Sequence, residues 1–266
     1  MSLLLKPVEP SRGTRWVGDA FRLFARRPLP FTMMFALFLF TALLAVLVPL
    51  LGGLLQMAML PLLSLGFMVA SRSALLDGPI NPRQFIEPLQ ADPVRRRALL
   101  KLCIGYGIGA FLILVLCDWV SDSALQRLQV LMASGEPSQT ELDALLSEPG
   151  LSAALLLGGA LGTALSVPFW HAPALVYWGA QSAGQALFSS TLAVWRAKGA
   201  FFLYLMTWVG LVIMFALGSA VLLSLLGAPQ LVGVLSLPGG LLFSTVFYVS
   251  LIFTFNDSFG SDAMRP

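Results

Sequence analysis

Apolar residues in this chain come in long unbroken runs, without the polar alternation of elements that face water on one side. No Asp, Glu, Lys or Arg stands between Pro28 and Ser71, between Pro149 and Trp195, or between Gly199 and Asn256. A membrane-crossing helix needs about 20 apolar residues, so each run has room for two crossings, or for one crossing and a surface segment. Prolines and glycines divide the runs where the chain must reverse, as at Pro49 with Gly52-Gly53 and at Gly227-Ala228-Pro229. The pattern predicts an all-α fold, a polytopic transmembrane helix bundle with six spans near 29–48, 54–75, 99–117, 151–178, 199–223 and 231–255.

Between and before the spans the pattern changes. Over 12–27, Trp16, Val17, Ala20, Phe21, Leu23 and Phe24 share one helical face, with Arg12, Arg15, Asp19, Arg22 and Arg26 opposite. A basic face across from Trp and Phe suits an amphipathic interfacial helix in the headgroup layer; packing on the protein's own cytoplasmic side is the other reading. Arg15, Trp16, Arg22 and Arg26 are the candidate membrane-surface contacts. Residues 77–97 read as a polar loop, with Asp92-Pro93 starting the next helix as N-cap and first-turn proline. Gly105, Gly107 and Gly109 permit a close helix approach in span three. In the long stretch 118–149, Ser138 and Glu141 have capping-box spacing for a short surface helix. A second, weakly amphipathic segment occupies 181–198. Asp19 to Phe31 and Ser190 to Phe202 share a layout of helix end, cations, Pro or Gly, then span. Either a duplication or positive-inside pressure alone produces that likeness.

Span four holds the concentrated irregularity. Residues 151–178 would reach about 42 Å as a helix, against a hydrocarbon core of about 30 Å. Pro168 and Pro173 each remove a backbone donor and crowd the carbonyl four residues earlier. A break between Ala164 and Pro173 is expected, and the freed carbonyls then need partners from the protein or water, because lipid has no donors. Trp170, His171 and Pro173 are accordingly the candidate ligand or lipid contacts.

Composition removes the alternative of a water-soluble domain. Hydrophobic residues make up 58% and charged residues 11% of the 266, where soluble domains carry about 25% charged. The apolar pattern opens only at Pro28, behind a long basic segment, which fits a retained first span better than a cleaved signal. With six spans, fifteen of the sixteen Lys and Arg fall on one side, and only Arg127 on the other. By the positive-inside rule the basic side is cytoplasmic. This gives a cytoplasmic N-terminus over 1–27, one six-helix domain over 28–256 and a cytoplasmic tail over 257–266, in a bacterial inner membrane.

The chemistry is sparse. No acidic residue falls in the core of an expected span, where proton-coupled carriers usually place one. There is no phosphate-binding glycine loop and no Gly-x-Ser-x-Gly elbow. One histidine and two cysteines about 21 Å apart along a helix make no metal or disulfide site, so no cofactor and no metal are expected. His171 reads either as a ligand contact or as a polar group hydrogen-bonded within the bundle. Gln56, Asn256 and Asp257 fall at span ends and read as interfacial. The expected partners are membrane lipids, anionic ones among them, and a protein partner or second copy; no nucleic acid is expected.

Trp170-His171-Ala172-Pro173-Ala174-Leu175-Val176, followed by Ala186-Leu187, Ser189 and Phe201-Phe202-Leu203-Tyr204, resembles the hallmark of a family of uncharacterised betaproteobacterial inner-membrane proteins. Arg15-Trp16, Leu23-Phe24, Pro28, Pro61 and Gly66-Phe67-Met68 fit the same likeness. His171 stands where that family usually has an aromatic residue. The six-span layout is more distantly similar to membrane domains joined to glycerophosphodiester phosphodiesterases. The resemblance implies architecture and no activity. Three readings follow: a non-enzymatic accessory, scaffold or envelope-lipid protein; a permease or exporter for an apolar or amphipathic solute; and a lipid enzyme using His171, Arg72 or Asp257. A polar cavity at the broken span would favour the second, and solid packing the first.

Overall fold

The computed structural model describes residues 4–48, 51–90, 92–133, 139–228 and 231–260. Among these residues every regular element is helical, and six segments are long and apolar enough to cross a membrane. Helix α1 (Arg12–Arg26) precedes the first span, α2 (Pro28–Val46). The second span is α3 (Gly52–Ala58) followed by α4 (Leu60–Leu75), interrupted at Met59 just before Pro61. Span three is α5 (Pro93–Val120), which starts at Pro93 as expected, ahead of the apolar run, and continues past the expected end at Cys117. The expected Asp92 position is its N-cap, without a side-chain capping bond.

The stretch 118–149 forms two short helices, α6 (Ala124–Ala133) and α7 (Gln139–Leu146), where one was expected; the Ser138 cap lies outside the described residues, as do Pro49 and Pro229 of the expected turns. Span four divides into α8 (Pro149–Phe169) and α9 (Ala172–Gly179). Helix α10 (Ala183–Arg196) leads to span five, α11 (Lys198–Leu225), and span six is α12 (Val232–Phe259). Asp257, assigned by sequence to the tail, belongs to the last turn of α12.

Helix α12 is the element around which the bundle closes. Its Val246 and Val249 join one core with Trp16, Leu23, Phe31, Phe67 and Tyr204. Leu251, Ile252, Phe255 and Phe259 join a second with Leu99, Leu102, Leu175 and Val176. Helix α1 packs into the groove between α11 and α12. The approach is close enough that a Cβ at Gly13 would overlap the Ala200 carbonyl and the Tyr204 amide. The small-residue face of α5 serves as expected, with Gly107 against Ala58 and Leu54 of α3.

The polar loop expected over 77–97 is in fact a folded plug. Two 3-10 turns make it up: Pro82–Phe85 packs on α4 and Glu87–Gln90 on α5, and Phe85 fills the space left by Gly66 beside Phe67. Its backbone is satisfied internally: Asn81 caps the first turn, and the buried Gln84 side chain accepts from Asn81 N–H and donates to the Pro79 carbonyl. Prolines obscured this, since they signal a loop while fixing the turns that let Phe85 and Leu89 reach inward.

The two amphipathic segments of the sequence meet different fates. Helix α1 buries its Trp16 completely. Helix α10 lies at the periphery against α8 and α9, starts with a Ser182–Gln185 capping box, and leaves Phe188 and Trp195 each 70% exposed. A duplicated unit would place α10 on α2 and α4 as α1 sits on α11 and α12. No such packing of α10 is present among the described residues.

A lateral groove at the break in span four

The break comes where proline chemistry puts it. Pro168 lies in the last turn of α8, the chain leaves the helix at Trp170 and His171, and Pro173 sits in the first turn of α9, where no donor is missed. Ser190 of α10 closes the gap. Its hydroxyl donates to the Val167 carbonyl at 3.1 Å and accepts from the His171 amide at 3.0 Å. One buried side chain thus satisfies a donor and an acceptor that lipid could not.

The break turns the Trp170 ring inward. Its Nε1 donates to Thr254 Oγ1 at 3.2 Å, and the ring meets Phe201, Tyr204 and Phe247 edge-on at 5.5–5.9 Å. Beside it, α8 and α11 stand apart and leave a cavity of about 440 Å³. Gly158, Gly159 and Gly162 form one wall, and Tyr204 and Trp208 the other. A Cβ at Gly159 or Gly162 would meet nothing within 4 Å, so these glycines border open space and not another helix. The hydroxyls of Thr163 and Ser166 are turned back to the Gly159 and Gly162 carbonyls at 2.7 and 2.8 Å, which leaves the wall mostly carbon. A smaller cavity, about 120 Å³, lies across Trp170 among Leu60, Pro61, Ser64 and Tyr106. Ser166, Trp170 and Phe247 line both. Neither is lined by Asp, Glu, Lys, Arg or His.

Of the three candidate ligand contacts, only Trp170 faces these cavities. His171 is fully buried between Phe201, Phe255 and Phe259 at 5.5–6.0 Å, and neither ring nitrogen finds a hydrogen-bond partner among the described residues. Pro173 is buried in the second core region with Ala172 and Ala174. The candidate surface cluster separates as well. Arg15, Arg22 and Arg26 are exposed, with Arg22 paired to Asp19 at 2.7 Å. Trp16 instead faces the bundle and donates from Nε1 to Asp257 Oδ2 at 2.7 Å, while Arg12 Nε donates to the same oxygen at 2.6 Å. That hydrogen bond raises the Arg12 guanidinium above its ordinary value, so its charge is held firmly.

Sequence reasoning missed the roles of Ser190 and Asp257. Asp257 carried a legible signal, as the first acidic residue after Glu148. Ser190 carried none, because one serine in a segment rich in Gln, Ser and Gly looks like any other.

The architecture finds its counterpart among known proteins. A relative from Burkholderia thailandensis named "Probable inner membrane protein" is 30% identical over 254 residues, covering 95% of this chain and 93% of its own length. The chain belongs to this inner membrane protein family. No family model matches it, and no solved structure does. As a member of that family it is a multi-pass inner membrane protein, and the six apolar helices are its spans.

Proposed function

We propose that the protein is a non-enzymatic inner-membrane component that takes an apolar or amphipathic molecule of the envelope, such as a lipid, into the lateral groove between α8 and α11. The observation that carries this reading is the roughly 440 Å³ cavity beside the break, with open glycines on one side and Tyr204 and Trp208 on the other. Apolar walls with two aromatic residues suit a hydrocarbon ligand, and the lack of an acid or base in the lining supports a binding role over catalysis. The family relationship supports the membrane setting.

The same reading places both termini in the cytoplasm, on the strength of fifteen cations out of sixteen on one side. Cysteine labelling at position 140 is expected to succeed from the periplasm, and labelling there only from the cytoplasm would reverse the orientation. The groove is tested by filling it. Gly162→Leu has room for its side chain, so the variant is expected to fold normally but to lose molecules that co-purify with the unaltered chain in lipid-preserving polymer discs. An unchanged set of bound molecules would remove the groove from the argument.

A permease for an amphipathic solute is the second reading, favoured by the smaller cavity across Trp170. Rotation of that ring would join the two spaces. Movement of a fluorescent lipid across proteoliposomes, abolished by Gly162→Leu, would select it over simple binding.

A further inference from the structure

A different part of the molecule has the chemistry of a headgroup site. At the basic end of the bundle the start of α5, the turn after α9 and the start of α10 border a pocket of about 580 Å³. Arg95, Arg97 and Lys101 line it, and no acidic side chain does. Arg95 is held in place by donating to the Tyr177 carbonyl at 3.2 Å. Arg97 and Lys101 are both exposed, one helical turn apart, and make no ion pair among the described residues. The opposite wall is the first turn of α10, where the Ser182–Gln185 capping box takes the Ser182 and Gln185 amides and leaves those of Ala183 and Gly184 without an intrahelical partner. Beside it the Gln181 side-chain oxygen is enclosed and makes no hydrogen bond among the described residues. Three cations and a helix N-terminus around an open space call for an oxyanion, and a free amide oxygen calls for a hydroxyl or other donor next to it.

The helix below the pocket says which kind of oxyanion. On α5 the face carrying Arg97 and Lys101 continues at helical spacing through Ile104, Ile108 and Phe111, which are 59%, 47% and 49% exposed. Lys101 to Phe111 covers about 15 Å of helix, half of a hydrocarbon core of about 30 Å. Charge above and one leaflet's depth of open apolar surface below match an anionic phospholipid, and basic pockets between membrane helices bind such headgroups. A free phosphate would leave the lower half uncovered.

We propose that Arg95, Arg97, Lys101 and the Ala180–Gln185 turn form a binding site for the phosphate of an anionic phospholipid, whose acyl chain lies along Ile104, Ile108 and Phe111. The site is separate from the groove between α8 and α11 and stands or falls independently of it.

Native mass spectrometry of the full chain in detergent, titrated with phosphatidylglycerol, phosphatidylcholine or inorganic phosphate, tests the assignment. Phosphatidylglycerol is expected to be retained in preference to phosphatidylcholine, and excess inorganic phosphate is expected not to displace it. Arg97→Gln with Lys101→Gln is expected to weaken phosphatidylglycerol binding roughly 25-fold, whereas the charge-keeping pair Arg97→Lys with Lys101→Arg keeps most of it. Should the double variant prove unstable, Lys101→Gln alone is expected to give roughly a fivefold loss. Equal retention of phosphatidylcholine, full displacement by inorganic phosphate, or unchanged binding in the Gln variants would each overturn the proposal.

Discussion

Helices α1 and α10 begin from similar sequences and end as opposites. Each is a short amphipathic helix that closes with cations and passes directly into a span. On pattern alone, α1 is the better candidate for lying on a membrane, with its sharper division of faces. The structure makes α1 a core element and leaves α10 at the edge, with Phe188, Leu192 and Trp195 exposed along one face. The lesson concerns what an apolar face signifies. In water an apolar face must be covered by protein, but beside a bilayer it can be covered by protein or by lipid, and periodicity does not distinguish the two. Close-contact features do: Gly13 allows α1 to approach the backbone at Ala200, and the half-buried Asp257 supplies a partner for its indole.

The largest test of this contrast is removal of each helix's tryptophan. Trp16→Ala is expected to cost about 3–5 kcal/mol in thermal or denaturant unfolding in detergent, whereas Trp195→Ala is expected to stay within about 0.5 kcal/mol. Equal losses would erase the distinction. Next comes the tie itself. Asp257→Ala leaves the Trp16 indole and the Arg12 guanidinium without their shared acceptor, an expected cost of about 3 kcal/mol, and protease cleavage near residue 27 should become faster. Resistance equal to that of the unaltered chain would show α1 held by packing alone.

Ser190→Ala sharpens the comparison from the other side, because it probes the one face of α10 that is buried. Losing the bridge between the Val167 carbonyl and the His171 amide is expected to cost about 1–2 kcal/mol, seen as a lower Tm. No change would mean that the break in span four is held without α10. The smallest effect is expected at His171, between the two helices' territories. His171→Phe removes two unpartnered ring nitrogens from an aromatic enclosure, so the Tm is expected to hold or rise slightly. A clear drop would reveal a hydrogen bond that the imidazole makes.

The spans were readable because lipid imposes a simple demand, some twenty residues without charge, and the runs after Pro28, Pro149 and Gly199 display it directly. The break between Pro168 and Pro173 was readable for an equally local reason, the missing donors. The groove was not. Gly159 and Gly162 look the same in sequence as Gly107, yet Gly107 packs against Ala58 while the other two face open space. Whether a glycine invites a neighbour or a vacancy depends on where α11 passes, and that is fixed by α1 and α12, far away in the chain. His171 drew attention as the only imidazole, but rarity in composition says nothing about what surrounds a side chain.

The bond from Trp16 to Asp257 spans 241 residues of chain, and this imposes a schedule on biogenesis. At about 5–20 residues per second, the first helix leaves the ribosome roughly 10–50 seconds before its acceptor exists. Throughout that interval its apolar face has no permanent seat, and lipid or a chaperone must shelter it. Docking of α1 therefore reports that translation has reached the end of α12. A chain stopped short would display an unsheltered, arginine-rich amphipathic helix, a ready mark by which a membrane protease could tell an unfinished copy from a finished one.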